Sequence, residues 1–304
     1  MGEPVIISIG GGKGGVGKST VTANVGALLV RRGYSVGFID ADLGGANLHL
    51  CLGQRRPVCG LQDFISGKYK KLQEVAVPLE LPKSWLISGA SDIVELANPN
   101  FAQKQKIIRQ LSTMETDFIL VDLGAGSDNH VTDFFAAFSY GIIVSDGLPT
   151  SIENAYGFLK NGILRGLNRL FTGRADIQRH VKRFIDPRTG SAYSTIGELV
   201  DGVGKIFPEA AAPMRSWLQH RKTFLILNMV KDADDIRVGE RFSGMVKKYL
   251  SIPMVYIGYV VFSPDVRKSI RAGIPLVETA GHSPATGCFH SITGNLVALT
   301  KGQE

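Results

Sequence analysis

Cysteine is scarce. Cys51, Cys59 and Cys288 are the only three in 304 residues, odd in number and far apart. That excludes a disulfide framework and points to a reducing, cytoplasmic setting. The six histidines and three cysteines form no His-x-x-x-His or Cys-x-x-Cys spacing, so no structural metal site of that kind is expected. No apolar run approaches the ~20 residues of a membrane span. The first apolar run begins at Val5, which leaves no room for a signal peptide. Internal repeats and low-complexity tracts are also missing. Acidic residues are the minority charge, 27 against 34 Lys and Arg, for a formal net charge of +7. This excess admits an acidic partner such as nucleic acid or an anionic membrane. What remains, 44% hydrophobic and 20% charged residues, is ordinary for a globular chain with a sizeable core.

The most informative stretch is residues 10–20, Gly-Gly-Gly-Lys-Gly-Gly-Val-Gly-Lys-Ser-Thr. It follows the apolar run Val5-Ile6-Ile7-Ser8-Ile9, read as a buried strand. It precedes a helical pattern with Val21, Val25, Leu28 and Leu29 on one face, closed by Gly33. Strand, glycine-rich turn and helix are the context of a phosphate-binding loop, and Gly12-x-x-x-x-Gly17-Lys18-Ser19 fits that pattern in full. Gly12, Lys13, Gly14, Gly15, Val16, Gly17, Lys18, Ser19 and Thr20 therefore form the expected phosphate cradle. Backbone N–H groups and the helix N-terminus would face the phosphates. Lys18 would reach the β- and γ-phosphates of a nucleotide, and the Ser19 hydroxyl would ligate Mg²⁺. A second apolar strand, residues 34–39, ends in Asp40-Ala41-Asp42. Two carboxylates two positions apart share one side of the strand end, beside the P-loop. There Asp40 would hold a magnesium-bound water, and Asp42 would orient or deprotonate an attacking water. The strand 117–122 ends in Asp122 and runs into Leu123-Gly124-Ala125-Gly126, which makes Asp122 a further candidate near Mg²⁺ and the glycines a candidate switch.

The rest of the chain alternates in the same way. Residues 60–65 read as a short helix, 85–89 as a strand, and 101–114 as an amphipathic helix with Ile107, Ile108 and Leu111 as its stripe. Strands are also expected at 141–145, 223–230 and 254–258. A capping box at Thr150 and Glu153 is expected to open a helix. Another should start with Ser263 at N-cap and Pro264 at N1 and stop at Gly273. Residues 164–221 read as a basic excursion of short helices, with Arg165, Arg169, Arg174, Arg179, Lys182, Arg183 and Arg188, broken by Gly190 and Pro208. The expected fold is α/β: one P-loop domain over residues 1–304, with a mostly parallel, doubly wound sheet of seven or so strands.

Lys13 is not required by the basic P-loop. Lys-Gly-Gly-Val-Gly-Lys-Ser resembles the deviant Walker A sequence of the MinD/ParA ATPases, and the resemblance extends over most of the chain. Gly45-Ala46-Asn47-Leu48 and Asp122-Leu123-Gly124-Ala125-Gly126 lean toward the MinD/FlhG branch. The resemblance implies a slow, partner-stimulated Mg-ATPase that forms a homodimer around ATP and releases on hydrolysis to ADP. It implies that Lys13 crosses the dimer interface to the partner's nucleotide and that Asp42 is the hydrolytic residue. Asn228 would read the adenine, the helix start at Pro264 would lie beside base and ribose, and Pro149, Thr150 and Ala155 would sit near the dimer interface. The cargo would be a flagellum, a division site or a similar assembly, with a DNA-partition role on the basic surface as the alternative. Lys301 is the only Lys or Arg after His290, unlike the basic amphipathic membrane tail of MinD. The last helix is therefore expected on the sheet. The short segment before Val5 leaves no room for the glutamine-containing motif with which FlhG-type regulators stimulate a GTPase. An iron–sulfur carrier of the Mrp type would need a cysteine pair that is absent, and an amide ligase would need a small-molecule pocket.

Overall fold

The computed structural model describes residues 3–89, 99–183, 193–279 and 282–302. Eight strands form one sheet: β1 (Val5–Gly10), β2 (Val36–Asp40), β3 (Val77–Pro78), β4 (Ser84–Ile87), β5 (Phe118–Asp122), β6 (Tyr140–Ser145), β7 (Lys222–Val230) and β8 (Met254–Val261). Their spatial order is β3-β4-β2-β5-β1-β6-β7-β8, and every pair is parallel except β3–β4. The strand beyond the expected seven is β3. Two residues are too short for a readable period, and Pro78 is compatible with an edge because it has no N–H to donate.

The first helices are α1 (Lys18–Arg31), α2 (Leu48–Cys51), α3 (Leu61–Ile65), α4 (Phe101–Leu111), α5 (Asn129–Ala137) and α6 (Pro149–Leu170). They are followed by α7 (Ala175–Arg183), α8 (Ile196–Ile206), α9 (Pro208–His220), α10 (Ala233–Leu250), α11 (Pro264–Ala272), α12 (Leu276–Thr279) and α13 (Pro284–Lys301). The central strands are apolar on both faces because helices cover both. Ile119 and Val121 of β5 face one core, with α3 to α10. Phe118 and Leu120 face the other, with α1, α12 and α13.

Two expectations change in detail. The helix after β6 has no Thr150–Glu153 capping box; Leu148 is its N-cap and makes no side-chain cap bond. Pro149 takes the first position, where its fixed φ suits the helix and its missing N–H is no loss. Asp146 Oδ1 accepts from Leu148 N at 3.1 Å, so the turn is organised one step earlier. The basic excursion is likewise not all short helices. Residues 164–170 complete the 22-residue α6, and only then come α7, α8 and α9. Pro208 stands at the break between α8 and α9, as the first residue of α9, while Arg188 and Gly190 lie outside the described residues. Ser263 caps α11 through Asp265 N, and Gly273 ends it with φ 68°, as the sequence predicts. The C-terminal helix α13 buries Phe289, Ile292 and Leu296 completely against the core that holds β8 and α1. Among the described residues no helix is long and apolar enough to cross a membrane.

Candidate functional site

The sheet order sets β2, β5 and β1 side by side, so their carboxyl ends meet at one edge. Asp40 and Asp122 are register partners at the ends of β2 and β5, and Ile9 of β1 pairs with Asp122 on its other side. The P-loop leaves β1 at this point. Gly12, Gly15 and Gly17 take φ of 70°, 80° and 90°, a region that side chains with a Cβ rarely adopt. At Gly17 space is decisive as well. An added Cβ would lie 2.2 Å from Nδ2 of Asn228, which donates to Val16 O at 2.8 Å. Asn228, at the end of β7, thus holds the loop backbone, a role the sequence did not disclose. The next residue, Met229, has φ 59°. A non-glycine in that region stores about 1–3 kcal/mol of strain.

Lys18 is 8% exposed, and its Nζ donates to Lys13 O at 3.4 Å. Burial lowers its pKa, while the charges of Asp122 and Asp42 oppose that. Ser19 Oγ donates to Asp122 Oδ2 at 2.5 Å, and Thr22 Oγ1 is 3.5 Å from Oδ1. Asp40 accepts two backbone N–H bonds, from Asp42 at 3.2 Å and Leu48 at 3.0 Å, and so braces the loop that carries Asp42. Burial and the neighbouring Asp122 charge push the Asp40 carboxyl well above the usual carboxylate range. Burial pushes Asp122 up as well, against the pull of Ser19 and Lys18. Asp42 lies against Gly124, where an added Cβ would come within 3.2 Å of its carboxyl group, and Gly126 N donates to Gly12 O at 3.1 Å. The two glycine-bearing loops thus meet around Asp42. Lys13 points elsewhere. Its Nζ donates to Ser151 Oγ at 3.2 Å, 3.9 Å from Asp146, and its side chain is 37% exposed.

A cavity of about 900 Å³ opens beside this edge. Gly14, Gly15, Gly17, Lys18, Ser19, Thr20 and Asp42 line one end. Asn228 and Pro264 line it too, together with Leu50, Phe262, Val266, Ile270, Arg267 and Arg271. The structure therefore gathers the P-loop, Asp42, Asn228 and Pro264 around one space. Asp40 and Asp122 lie behind it, and Lys13 rests outside it on α6. The apolar wall of Leu50, Phe262 and Ile270 was not anticipated. Phe262 directly follows β8, whereas Leu50 lies in α2 and Ile270 in α11, and the three are exposed by 42%, 59% and 42% in the order Leu50, Phe262, Ile270.

A family model described as the CobQ/CobB/MinD/ParA nucleotide binding domain matches residues 7–276. The Helicobacter pylori flagellum site-determining protein YlxH is 35% identical over 161 residues, 52% of this chain and 54% of that protein. The Thermotoga maritima septum site-determining protein MinD is 33% identical over 167 residues, 53% of this chain and 59% of that protein. The alignments thus span little more than half the length of these relatives. Among solved structures, the Pyrococcus horikoshii septum site-determining protein MinD complexed with Mg-ADP has a TM-score of 0.65 at 20% identity, over 97% of this chain and 96% of that one. At that identity the likeness speaks for the fold alone. The family model covers most of the chain and includes the P-loop and all three carboxylates, so this protein belongs to the CobQ/CobB/MinD/ParA family of nucleotide-binding domains.

Proposed function

We propose that the chain is a Mg²⁺-dependent ATPase switch of the MinD/FlhG type, which pairs with a second copy around ATP, hydrolyses it and separates on ADP. The observation that carries this reading is the convergence of the P-loop, with Lys18 and Ser19, and Asp42 on one cavity edge, with Asp40 and Asp122 behind. The donor set fits Mg²⁺: a hydroxyl and carboxylates, all hard oxygens. Among the described residues no three His, Cys, Asp or Glu converge as a complete ligand set. This suits Mg²⁺, which commonly takes one or two carboxylates and completes its shell with phosphates and water. Ser19 would hold it directly, and Asp40 and Asp122 through water; when bound it would neutralise charge developing on the phosphates. The loop N–H groups and Lys18 bind the β- and γ-phosphates. Asp42, facing the cavity beside Gly124, orients the attacking water and takes its proton. Leu50, Phe262 and Ile270 exclude water around the base, and Asn228 and Pro264 border its site.

Lys13 decides the class. It rests on Ser151 and Asp146, a half-exposed contact that costs little to leave. Across a two-fold axis it would reach the partner's triphosphate, in a charge-assisted bond worth ~1.5–3 kcal/mol on each side. The test is light scattering with ATP and with ADP. Wild type and Asp42→Ala are expected to be dimeric with ATP and monomeric with ADP, while Asp42→Ala/Lys13→Ala stays monomeric. Equal dimerisation of the two Asp42 variants would refute the bridging role. A cargo such as a flagellum or division site is supported by the names of the relatives, and a protein activator by the family resemblance alone. DNA partition is the second reading, and the pairing of Arg174 with Asp176 and Glu209, and of Arg215 with Asp201, weakens it by neutralising part of the basic excursion.

A further inference from the structure

A second cavity, of about 510 Å³, lies between α5, α6 and α7 on the face of the sheet opposite α1. No sequence motif marks it. Asp133 of α5 lies at its base with its side chain 1% exposed. Lys104 Nζ donates to Asp133 Oδ2. Arg165 Nε donates to Oδ1 at 2.5 Å and Nη2 to Oδ2 at 3.2 Å. Arg169 Nη1 donates to the Asp133 backbone oxygen at 3.1 Å and stands 3.8 Å from Oδ1. Burial pushes the Asp133 carboxyl up, but Arg165 and Lys104 more than offset it and hold it below the usual range. One carboxylate thus serves three cations. A fourth, Lys182 of α7, lines the same space and makes no ion pair among the described residues.

Two polar atoms of the lining residues also lack partners. Arg169 Nη2 is buried without any acceptor, and so is the amide oxygen of Asn168 without a donor. A buried charged donor left unpaired is costly, and such groups in folded proteins regularly prove to have a missing partner. The guanidinium is held in position by stacking on Phe101, 5.3 Å from its ring centre. Asn161 and Gln178 add amides to the wall.

We propose that this cavity binds a small, multiply charged organic anion, a phosphate ester or polycarboxylate, with Arg169 and Lys182 as its charge contacts. The volume lies within the ~300–1,000 Å³ of small-molecule pockets. Arg169 is recessed, with its side chain 20% exposed. A compact anionic group reaches it, whereas the phosphates of a rigid duplex would stay at the rim. Ser127 and Asn129 also line the cavity, directly after the Leu123–Gly126 loop, so a bound anion would link α6 to the helix that follows that loop. Binding here does not require the P-loop.

The test is titration calorimetry at low salt on wild type saturated with ADP and on Lys18→Ala without nucleotide, with inorganic phosphate and citrate as probes. Saturable binding of one anion per chain is expected for both proteins. Arg169→Gln/Lys182→Gln should weaken it about tenfold or more. Lys182→Gln alone changes an exposed side chain, so it should weaken binding several-fold with an unchanged thermal midpoint. Saturable binding of neither probe overturns the proposal, as does binding lost in Lys18→Ala or unaltered in the double variant. Duplex DNA is the control arm: if it binds and the small anions do not, the surface is an open nucleic-acid face and not a ligand pocket.

Discussion

Lys18 is held nearly out of water at the mouth of a helix, beside two carboxylates that oppose the loss of its charge. Its removal takes the main cation from the phosphate cradle and leaves the core untouched. Lys18→Ala should therefore abolish ATP binding by calorimetry while the unfolding midpoint changes little. Gly17 is restricted twice, by φ 90° and by Asn228 at 2.2 Å from any added Cβ. Gly17→Ala should cost about 1–3 kcal/mol in strain alone, read by denaturant unfolding, and nucleotide affinity should fall with it. The aspartates differ in kind. Asp42 is partly exposed to the cavity, so Asp42→Ala should keep ATP affinity and lose most of the hydrolysis rate in a phosphate-release assay. Asp40 accepts the N–H groups of Asp42 and Leu48. Asp40→Ala should then loosen the loop and weaken Mg²⁺-dependent binding, which a nucleotide titration with and without Mg²⁺ would detect. A strand-end aspartate is legible in sequence as a ligand candidate. Its bonds to backbone two and eight residues away are not, because they depend on how the loop folds back.

At the scale of elements, α4, α5 and α6 are tied by Asp133, which Lys104 and Arg165 reach from the two sides. Lys104 is 4% exposed, so Asp133→Asn would leave a buried ammonium unpaired. The expected loss is about 3–5 kcal/mol, measured by chemical denaturation at neutral pH. The sign with pH follows from the direction of the shift. A carboxyl held low in the folded state stabilises above the ordinary carboxylate pKa, and that contribution fades as pH falls through the lower folded value. Wild type and Asp133→Asn should accordingly converge in stability under acid. The far end of α5 is closed differently. Arg221, 3% exposed, donates to the carbonyls of Phe135 at 3.0 Å and Ala136 at 3.3 Å, between the rings of Phe135 and Trp217. Burial pushes its pKa down to about 10, and the orphan carbonyls of the helix end offset the cost of the charge. In the sequence Arg221 marked only the end of a basic stretch. Periodicity marks a charge as lying off the apolar face, but it carries no information about which distant helix end will receive that charge.

For the molecule as a whole, the net charge of +7 stands, but the cations of the basic excursion do not form one open surface. Arg165 and Arg169 face Asp133, Arg174 and Arg215 are paired, and Arg221 is interior. Duplex DNA should therefore bind weakly at physiological salt even with ATP and Mg²⁺, as a mobility-shift assay would show; tight, salt-sensitive retardation would favour the partition reading. The amino-acid sequence alone determined the parallel α/β architecture, since apolar strands alternate with amphipathic helices. It also determined the nucleotide edge, since glycines, Lys18, Ser19 and strand-end aspartates recur at spacings that only local backbone geometry constrains. Contacts between distant segments were decided by the tertiary structure. Pro149 displaced the Thr150 cap, α6 absorbed the start of the basic excursion, Asn228 locked the P-loop, and Asp133 gathered cations from two other helices. Each of these depends on residues 29 to 212 positions apart, or on a helix register set by packing. A reading that proceeds along the chain registers local period and spacing, and the free energy of those contacts arises only once the sheet has brought their partners together.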